Sequence, residues 1–279
     1  MAHSPKILVF DSGLGGLTVL AEAMQLRPDG IFLYAADDAG FPYGGLSEAA
    51  LVARVGEVIA RLVTLFAPDV IVIACNTAST LVLPHLRARF PNIPFVGTVP
   101  AVKPAASLSK SQMISVLATP GTVARDYTRD LVRTYAAHCD VTLVGSNHLA
   151  SLAEAFMKGE SVADADIAQE IAPCFIGGQE ARTDCVVLAC THYPLLLPHF
   201  ERLAPWPVEW VDPAPAIARR IDHVLCEDLG LTQRSVKDVA GPHHALFTGA
   251  ATPSPALAAA LAERGIEKIL FEPMPLSGT

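Results

Sequence analysis

Short apolar runs recur along the chain and alternate with longer segments in which apolar positions are spaced. Lys6-Ile-Leu-Val-Phe10, Ile31-Phe-Leu-Tyr-Ala35, Val70-Ile-Val-Ile-Ala74, Met113-Ile-Ser-Val-Leu117 and Val186-Val-Leu-Ala189 have the length of strands and are apolar almost throughout. A strand wetted on one face would alternate with polar residues. Continuous apolarity predicts strands covered on both faces, as in a mostly parallel sheet flanked by helices. Between the second and third runs, Leu51, Val55, Val58, Ile59, Leu62 and Val63 fall on one face of a helical repeat spanning Ser47 to Phe66. Ser47 followed by Glu48 predicts its start, and Ala67-Pro68 its end.

Proline marks two breaks in this rhythm. Gly97-Thr-Val-Pro-Ala-Val-Lys-Pro104 and Trp206-Pro-Val-Glu-Trp-Val-Asp-Pro-Ala-Pro215 are expected to be extended crossings. Two crossings predict two domains, residues 1–98 with the tail 211–279, and residues 99–210. The halves also repeat. Setting Cys75 against Cys190 aligns Ile-Val-Ile-Ala-Cys-Asn-Thr with Val-Val-Leu-Ala-Cys-Thr-His. One gap then aligns Leu81-Val-Leu-Pro-His85 with Leu195-Leu-Leu-Pro-His199, and upstream Ile7 to Gly13 resembles Ile114 to Gly121. The expected fold is α/β: two similar doubly wound, mostly parallel domains related by pseudo-two-fold symmetry, with the active site in the cleft between them.

In such sheets ligands bind beyond the carboxyl ends of the strands. Asp11, Ser12, Cys75, Asn76, Thr77, Thr119, Cys190, Thr191 and His192 all fall at such ends. If the halves face one another, the two cysteines meet across one cleft. A zinc site needs three or four ligands, and neither Cys190 with His192 nor the pair His243-His244 completes a familiar spacing. A cysteine nucleophile needs only one thiol. Two thiols suit a two-base proton exchange, in which one thiolate removes a proton from carbon and the opposite thiol returns one to the other face. Forming a thiolate at neutral pH costs about 2 kcal/mol from a free pKa near 8.5, so stabilising the carbanion is the larger task. Donors for it are offered by the Asp11-Ser-Gly-Leu-Gly-Gly16 turn, Pro42-Tyr-Gly-Gly45, Asn76-Thr77 and Thr191-His192. The glycine turn also admits a nucleotide reading, but it lacks the GxGxxG spacing and Asp11 stands where phosphates belong. No Walker loop is present, and no lysine has the context of a pyridoxal Schiff base.

Composition narrows the classes. The 279 residues are 51% apolar, enough for a substantial core, and the net charge of −8 without a basic cluster argues against nucleic acid. Ile7 to Phe10 is too short for a signal-peptide core, and no apolar run reaches the ~18 residues of a membrane helix, so a cytoplasmic protein without a membrane partner is expected. The six cysteines lack CxxC pairs and are expected to be reduced, with Cys139, Cys174, Cys185 and Cys226 as buried small hydrophobes.

Five motifs in order, Asp11-Ser-Gly-Leu-Gly-Gly16, Pro42-Tyr-Gly44, Cys75-Asn-Thr-Ala-Ser79, Ala118-Thr-Pro-Gly-Thr122 and Cys190-Thr-His-Tyr-Pro-Leu195, resemble the cofactor-independent glutamate racemases of the aspartate/glutamate racemase superfamily. The resemblance implies two α/β domains enclosing the substrate, interconversion of L- and D-glutamate, no cofactor and no metal, and supply of D-glutamate for peptidoglycan. It implies that Cys75 deprotonates D-glutamate and Cys190 L-glutamate, with Asp11 assisting the first thiol and His192 the second. Ser12, Tyr43, Gly44, Asn76, Thr77, Thr119, Thr191 and His192 would hold the amino acid. Glu154 sits where the family has an acidic residue near the second cysteine, although Val144-Gly-Ser-Asn-His-Leu149 replaces the usual cysteine-proline and apolar segment before it. The family often forms dimers in more than one arrangement, so a homodimer is the candidate assembly. Rival readings remain: Asp11 and Ser12 as caps of the next helix, His192 as a satisfied loop histidine, an aspartate racemase or decarboxylase of the same superfamily, and a non-catalytic amino-acid-binding protein.

Overall fold

The computed structural model describes residues 4–178, 181–232 and 242–274. The chain divides into two compact units, Met1–Thr98 with Ala214–Thr279, and Val99–Pro213. In the first, β1 (Lys6–Asp11) leads to α1 (Leu17–Leu26), β2 (Ile31–Ala36), α2 (Glu48–Phe66), β3 (Val70–Ile73), α3 (Asn76–Arg89) and β4 (Phe95–Gly97). The second unit runs α4 (Val102–Leu108), β5 (Met113–Ala118), α5 (Pro120–Val123), α6 (Asp126–Tyr135) and β6 (Asp140–Gly145). It continues with α7 (Leu149–Met157), α8 (Asp164–Ile171), β7 (Cys185–Ala189), α9 (Leu197–Leu203) and β8 (Glu209–Val211). The chain then returns to the first unit with α10 (Ala214–His223), β9 (His243–Phe247), α11 (Pro255–Glu263) and β10 (Ile266–Phe271).

Each unit is built on one parallel sheet, in the order β10-β9-β2-β1-β3-β4 in the first and β6-β5-β7-β8 in the second. The segment β2-β1-β3-β4 and the whole of β6-β5-β7-β8 share one strand order, so the repeat read from the two cysteine segments is a repeat of topology. β1, β3, β5 and β7 are buried almost residue for residue, as their continuous apolarity predicts. Helix α2 matches its predicted span: Ser47 caps it by accepting the Ala50 N–H, and Leu51, Val55, Val58, Ile59 and Leu62 are buried. Its end is set by Ala67, which takes a left-handed conformation at φ 48°. No helix of the described residues is long and apolar enough to cross a membrane.

The proline-rich segments differ from expectation. The first starts on the last residue of β4 and already contains the start of α4, and the second contains the edge strand β8 and the start of α10. Proline lacks an N–H that the first helical turn leaves unbonded anyway, so Pro104 and Pro215 sit in the opening turns of helices rather than preventing them. Cys174 and Cys185 are buried as expected, whereas Cys139 and Cys226 are only half-buried. Cys139 lies at the margin of a core under the second sheet, and Cys226 lies in a π-helical extension of α10.

That extension meets a buried charge. Arg27, 0% exposed after α1, donates Nε and Nη2 at 2.8 Å to the carboxylate of Asp29, 1% exposed, and Nη2 reaches the Leu231 carbonyl at 3.0 Å. Asp222 on α10 approaches Nη1 at 3.4 Å. Removing one partner of a buried pair leaves an uncompensated charge at a cost of ~3–5 kcal/mol, whereas replacing both with apolar groups costs far less. Arg27→Met is therefore expected to destabilise the first unit by that order in urea unfolding, and Arg27→Met with Asp29→Leu to recover most of it. Equal losses in the single and double variants would show that the buried pair is not what holds this corner.

Candidate active site

The first half-site is set by strand register. β1 and β3 pair with Phe10 beside Ile73, which brings Asp11, the last residue of β1, and Ser12 alongside Ala74 and Cys75 at the carboxyl edge of the sheet. The Ser12 hydroxyl accordingly points at the Cys75 thiol, Oγ to Sγ 3.7 Å. Cys75 is the N-cap of α3, so its sulfur stands at the positive end of a 14-residue helix, where negative charge is favoured. Asp11 is fully buried and accepts the Gly13 N–H at 3.3 Å. Neither Asp11 nor Ser12 caps α1, whose N-cap is Gly16 without a side-chain hydrogen bond, so the capping alternative is corrected. Gly16 is required by close approach, since a Cβ there would come within 2.8 Å of the Asp11 Cβ. Tyr34 pins the same turn through Oη to the Gly13 carbonyl at 2.5 Å.

Asn76 is 3% exposed, and both polar atoms of its side chain lack a hydrogen-bond partner among the described residues. Thr77 beside it is buried on the first turn of α3. Tyr43 is buried in the same core as Cys75 and donates its hydroxyl to Asp37 Oδ2 at 2.6 Å. Burial raises its pKa well above the ordinary value, with Asp37 and then Cys75 adding to the rise. Tyr43 is therefore held by packing and by Asp37, while Gly44 beside it is exposed, with open space where a Cβ would stand. Sequence reasoning missed the anchor of this loop. Arg54 from α2 grips Asp37 through Nε at 2.9 Å and Nη2 at 2.5 Å, and Thr248 after β9 donates to Asp37 Oδ1 at 2.6 Å. Only Arg54, in the second turn of the predicted helix and off its apolar face, gave any signal.

The second half-site repeats the register and changes the chemistry. β5 and β7 pair with Ala118 beside Ala189, so Thr119 and Cys190 leave the sheet side by side. Thr119 caps α5 by accepting the Thr122 N–H. Cys190 opens a tight turn closed by the Tyr193 N–H on its carbonyl at 3.1 Å, and Thr191 is buried in that turn. His192, 2% exposed, brings Nδ1 to 3.9 Å from the Cys190 sulfur and Nε2 to 2.9 Å from Glu154 Oε1. Glu154, 5% exposed on α7, meets Lys158 through its other oxygen at 3.1 Å. His192 is thus a loop histidine placed between a carboxylate and a thiol. Tyr193 is fully buried in the same core as Cys190, and burial, then the Cys190 charge, raises its pKa well above the ordinary value.

The other thiols lie away from these two strand ends, Cys185 at the start of β7, Cys174 in a 3-10 turn, Cys139 before β6 and Cys226 in the extension of α10. Burial pushes Cys174 to about 12, and burial with Asp184 beside it pushes Cys185 to about 12, so both stay protonated at neutral pH. Among the described residues, no three His, Cys, Asp or Glu gather as a metal ion would require.

The chain is also similar to known proteins. The family model for Asp/Glu/hydantoin racemase matches residues 20–221. A glutamate racemase of Brucella anthropi is 61% identical over 78% of this chain and 79% of its own length, and one of Agrobacterium fabrum is 58% identical over 78% and 80%. The crystal structure of Escherichia coli glutamate racemase with L-glutamate and the activator UDP-MurNAc-ala superposes with a TM-score of 0.86 at 37% identity, covering 96% of this chain and 97% of that one. With the matched strand ends and five ordered motifs, these likenesses show that the chain belongs to the glutamate racemases of the Asp/Glu/hydantoin racemase family.

Proposed function

We propose that the protein racemises glutamate at Cα without a cofactor, using Cys75 and Cys190 as the two proton-transfer groups, and that its D-glutamate serves peptidoglycan synthesis. The observation that carries this reading is the pair of thiols at equivalent strand ends, each supplied with its own polar partner, Ser12 on one and His192 on the other. The resemblance assigns D-glutamate to Cys75 and L-glutamate to Cys190. In each direction one sulfur, as thiolate, takes the Cα proton, and the other, as thiol, delivers its proton to the opposite face. The electron pair of the broken C–H bond forms the new one, so no oxidant or reductant enters. Asp11 assists at the first thiol, and His192, oriented by Glu154, relays charge at the second.

Binding is assigned to Ser12, Tyr43, Gly44, Asn76, Thr77, Thr119, Thr191 and His192. The buried Asn76 amide supports this. An unsatisfied buried polar group costs ~1–3 kcal/mol, and the carboxylate and ammonium of an amino acid are partners that would offset it. The reading has the protein working in the cytoplasm on a free amino acid, with neither nucleic acid nor membrane as partner, and assembling as a homodimer.

Incubation with L-glutamate in D₂O is expected to give D-glutamate carrying deuterium at Cα with no added cofactor, measured by NMR and chiral chromatography; absence of exchange from both enantiomers would overturn the activity. Cys75→Ser and Cys190→Ser are each expected to lower racemisation by about a thousandfold or more, since a hydroxyl is a far weaker acid than a thiol and forms essentially no conjugate base near neutral pH. A variant that still racemises at near the original rate removes that cysteine from the mechanism. Asn76→Ala is expected to raise KM for glutamate by about tenfold while leaving the ligand-free melting temperature unchanged or higher, because the amide is unpaired without substrate. A lower melting temperature with unchanged KM would mark Asn76 as structural.

A further inference from the structure

The second half-site rests on a connection that no motif records. Ser146 follows β6 and is buried. Its N–H donates to the Ala118 carbonyl at the end of β5 at 2.8 Å, and its Oγ accepts the Leu149 N–H at the start of α7 at 3.1 Å. The same hydroxyl donates its proton to Oε2 of Glu170 on α8. One serine therefore ties the end of β5, the first turn of α7 and the flank of α8. It lies in Val144-Gly-Ser-Asn-His-Leu149, the turn between β6 and α7, and the hydroxyl-carboxylate pair holds that turn.

From this we infer that Ser146 and Glu170 are positioning residues for proton transfer at Cys190, acting through α7, Glu154 and His192; the inference rests on the two-thiol reading above. Glu154 lies five residues beyond Leu149 on α7, so the height and rotation of the first turn fix where its carboxylate arrives. A slip of one residue rotates a helix by about 100° and shifts it by about 1.5 Å, which would take Glu154 off His192. The serine hydroxyl donates to a carboxylate, and a hydroxyl polarised in this way is a stronger acceptor for the Leu149 N–H. Leu149 also packs in one core with Tyr193 and Cys190, so the first turn of α7 bears directly on the turn that carries the thiol. Neither Ser146 nor Glu170 is given a contact with substrate. Their effect is on where His192 stands.

The equilibrium constant of a racemisation is one, so kcat/KM is equal in the two directions whichever residue is changed, and the rate alone cannot locate the perturbed step. Isotope effects can. If Ser146→Ala slows proton transfer at Cys190, that step becomes more limiting. The primary deuterium effect on kcat/KM is then expected to rise for L-glutamate deuterated at Cα, whose deuterium Cys190 removes. It is expected to fall for D-glutamate deuterated at Cα, whose deuterium Cys75 removes. Loss of one charge-assisted hydrogen bond predicts a fall in kcat/KM of about tenfold in both directions. Glu170→Ala on the half-buried flank of α8 is expected to shift both isotope effects in the same sense, and it carries the test if Ser146→Ala fails to fold. Ser146→Thr, which keeps the hydroxyl, is expected to restore the original isotope effects. Unchanged kcat/KM, a fall with both isotope effects unaltered, or shifts in the opposite sense would overturn the inference. Absence of racemisation in the unsubstituted protein would instead overturn the two-thiol reading, together with everything that rests on it.

Discussion

The parallel ladder between the inner strand of each repeat and its neighbour is the constraint on which the rest depends. Register in a parallel pair buried on both faces is set by the fit of side chains of different size, and a slip of one residue would exchange the two faces and spoil that packing. Phe10 against Ile73 and Ala118 against Ala189 are therefore fixed by packing, with no contribution from chemistry. The residues just past each strand are placed by the same packing: Ser12 beside Cys75, and Thr119 beside Cys190. These residues sit past the strands, where backbone groups have left the sheet ladder, the place at which parallel sheets take ligands.

Much of this was legible in the sequence because it is local. Continuous apolar runs gave the inner strands, the six-residue apolar face gave α2, and the repeated apolar-to-cysteine step gave both thiols. The features that escaped have longer range or weaker pattern. The edge strands β4 and β8 are three residues each, too short for a period; β4 ends where the first proline-rich stretch begins, and β8 lies inside the second, which read as crossings. Thr248 reaches Asp37 across 211 residues, and Glu170 reaches Ser146 from a separate helix, and no spacing rule joins such pairs. The departure around Ser146 was visible as a mismatch in wording. The carboxylate on α8 that Ser146 meets was not.

The cysteines illustrate how position outweighs residue type. Cys185 and Cys190 lie on the same stretch of chain, one at the start of β7 and the other just past its end. The first is desolvated with Asp184 beside it and is pushed to about 12, so a negative sulfur there would be strongly opposed. The second has His192 within 3.9 Å of its sulfur. Composition alone would have treated them alike.

The two half-sites share topology but surround their thiols differently. Cys75 opens a helix of 14 residues, whose aligned backbone dipoles present partial positive charge to the sulfur. Cys190 opens a tight turn and lies two residues before His192, the cap of a 3-10 turn (Tyr193–Leu196) that runs on into α9, so the helical run after it begins further along the chain than α3 does after Cys75. Beside the sulfur stands His192, with Nδ1 at 3.9 Å and with Nε2 meeting Glu154 of α7. On the two-thiol reading proposed above, the second half-site therefore depends on where α7 starts, because α7 carries the glutamate that meets His192.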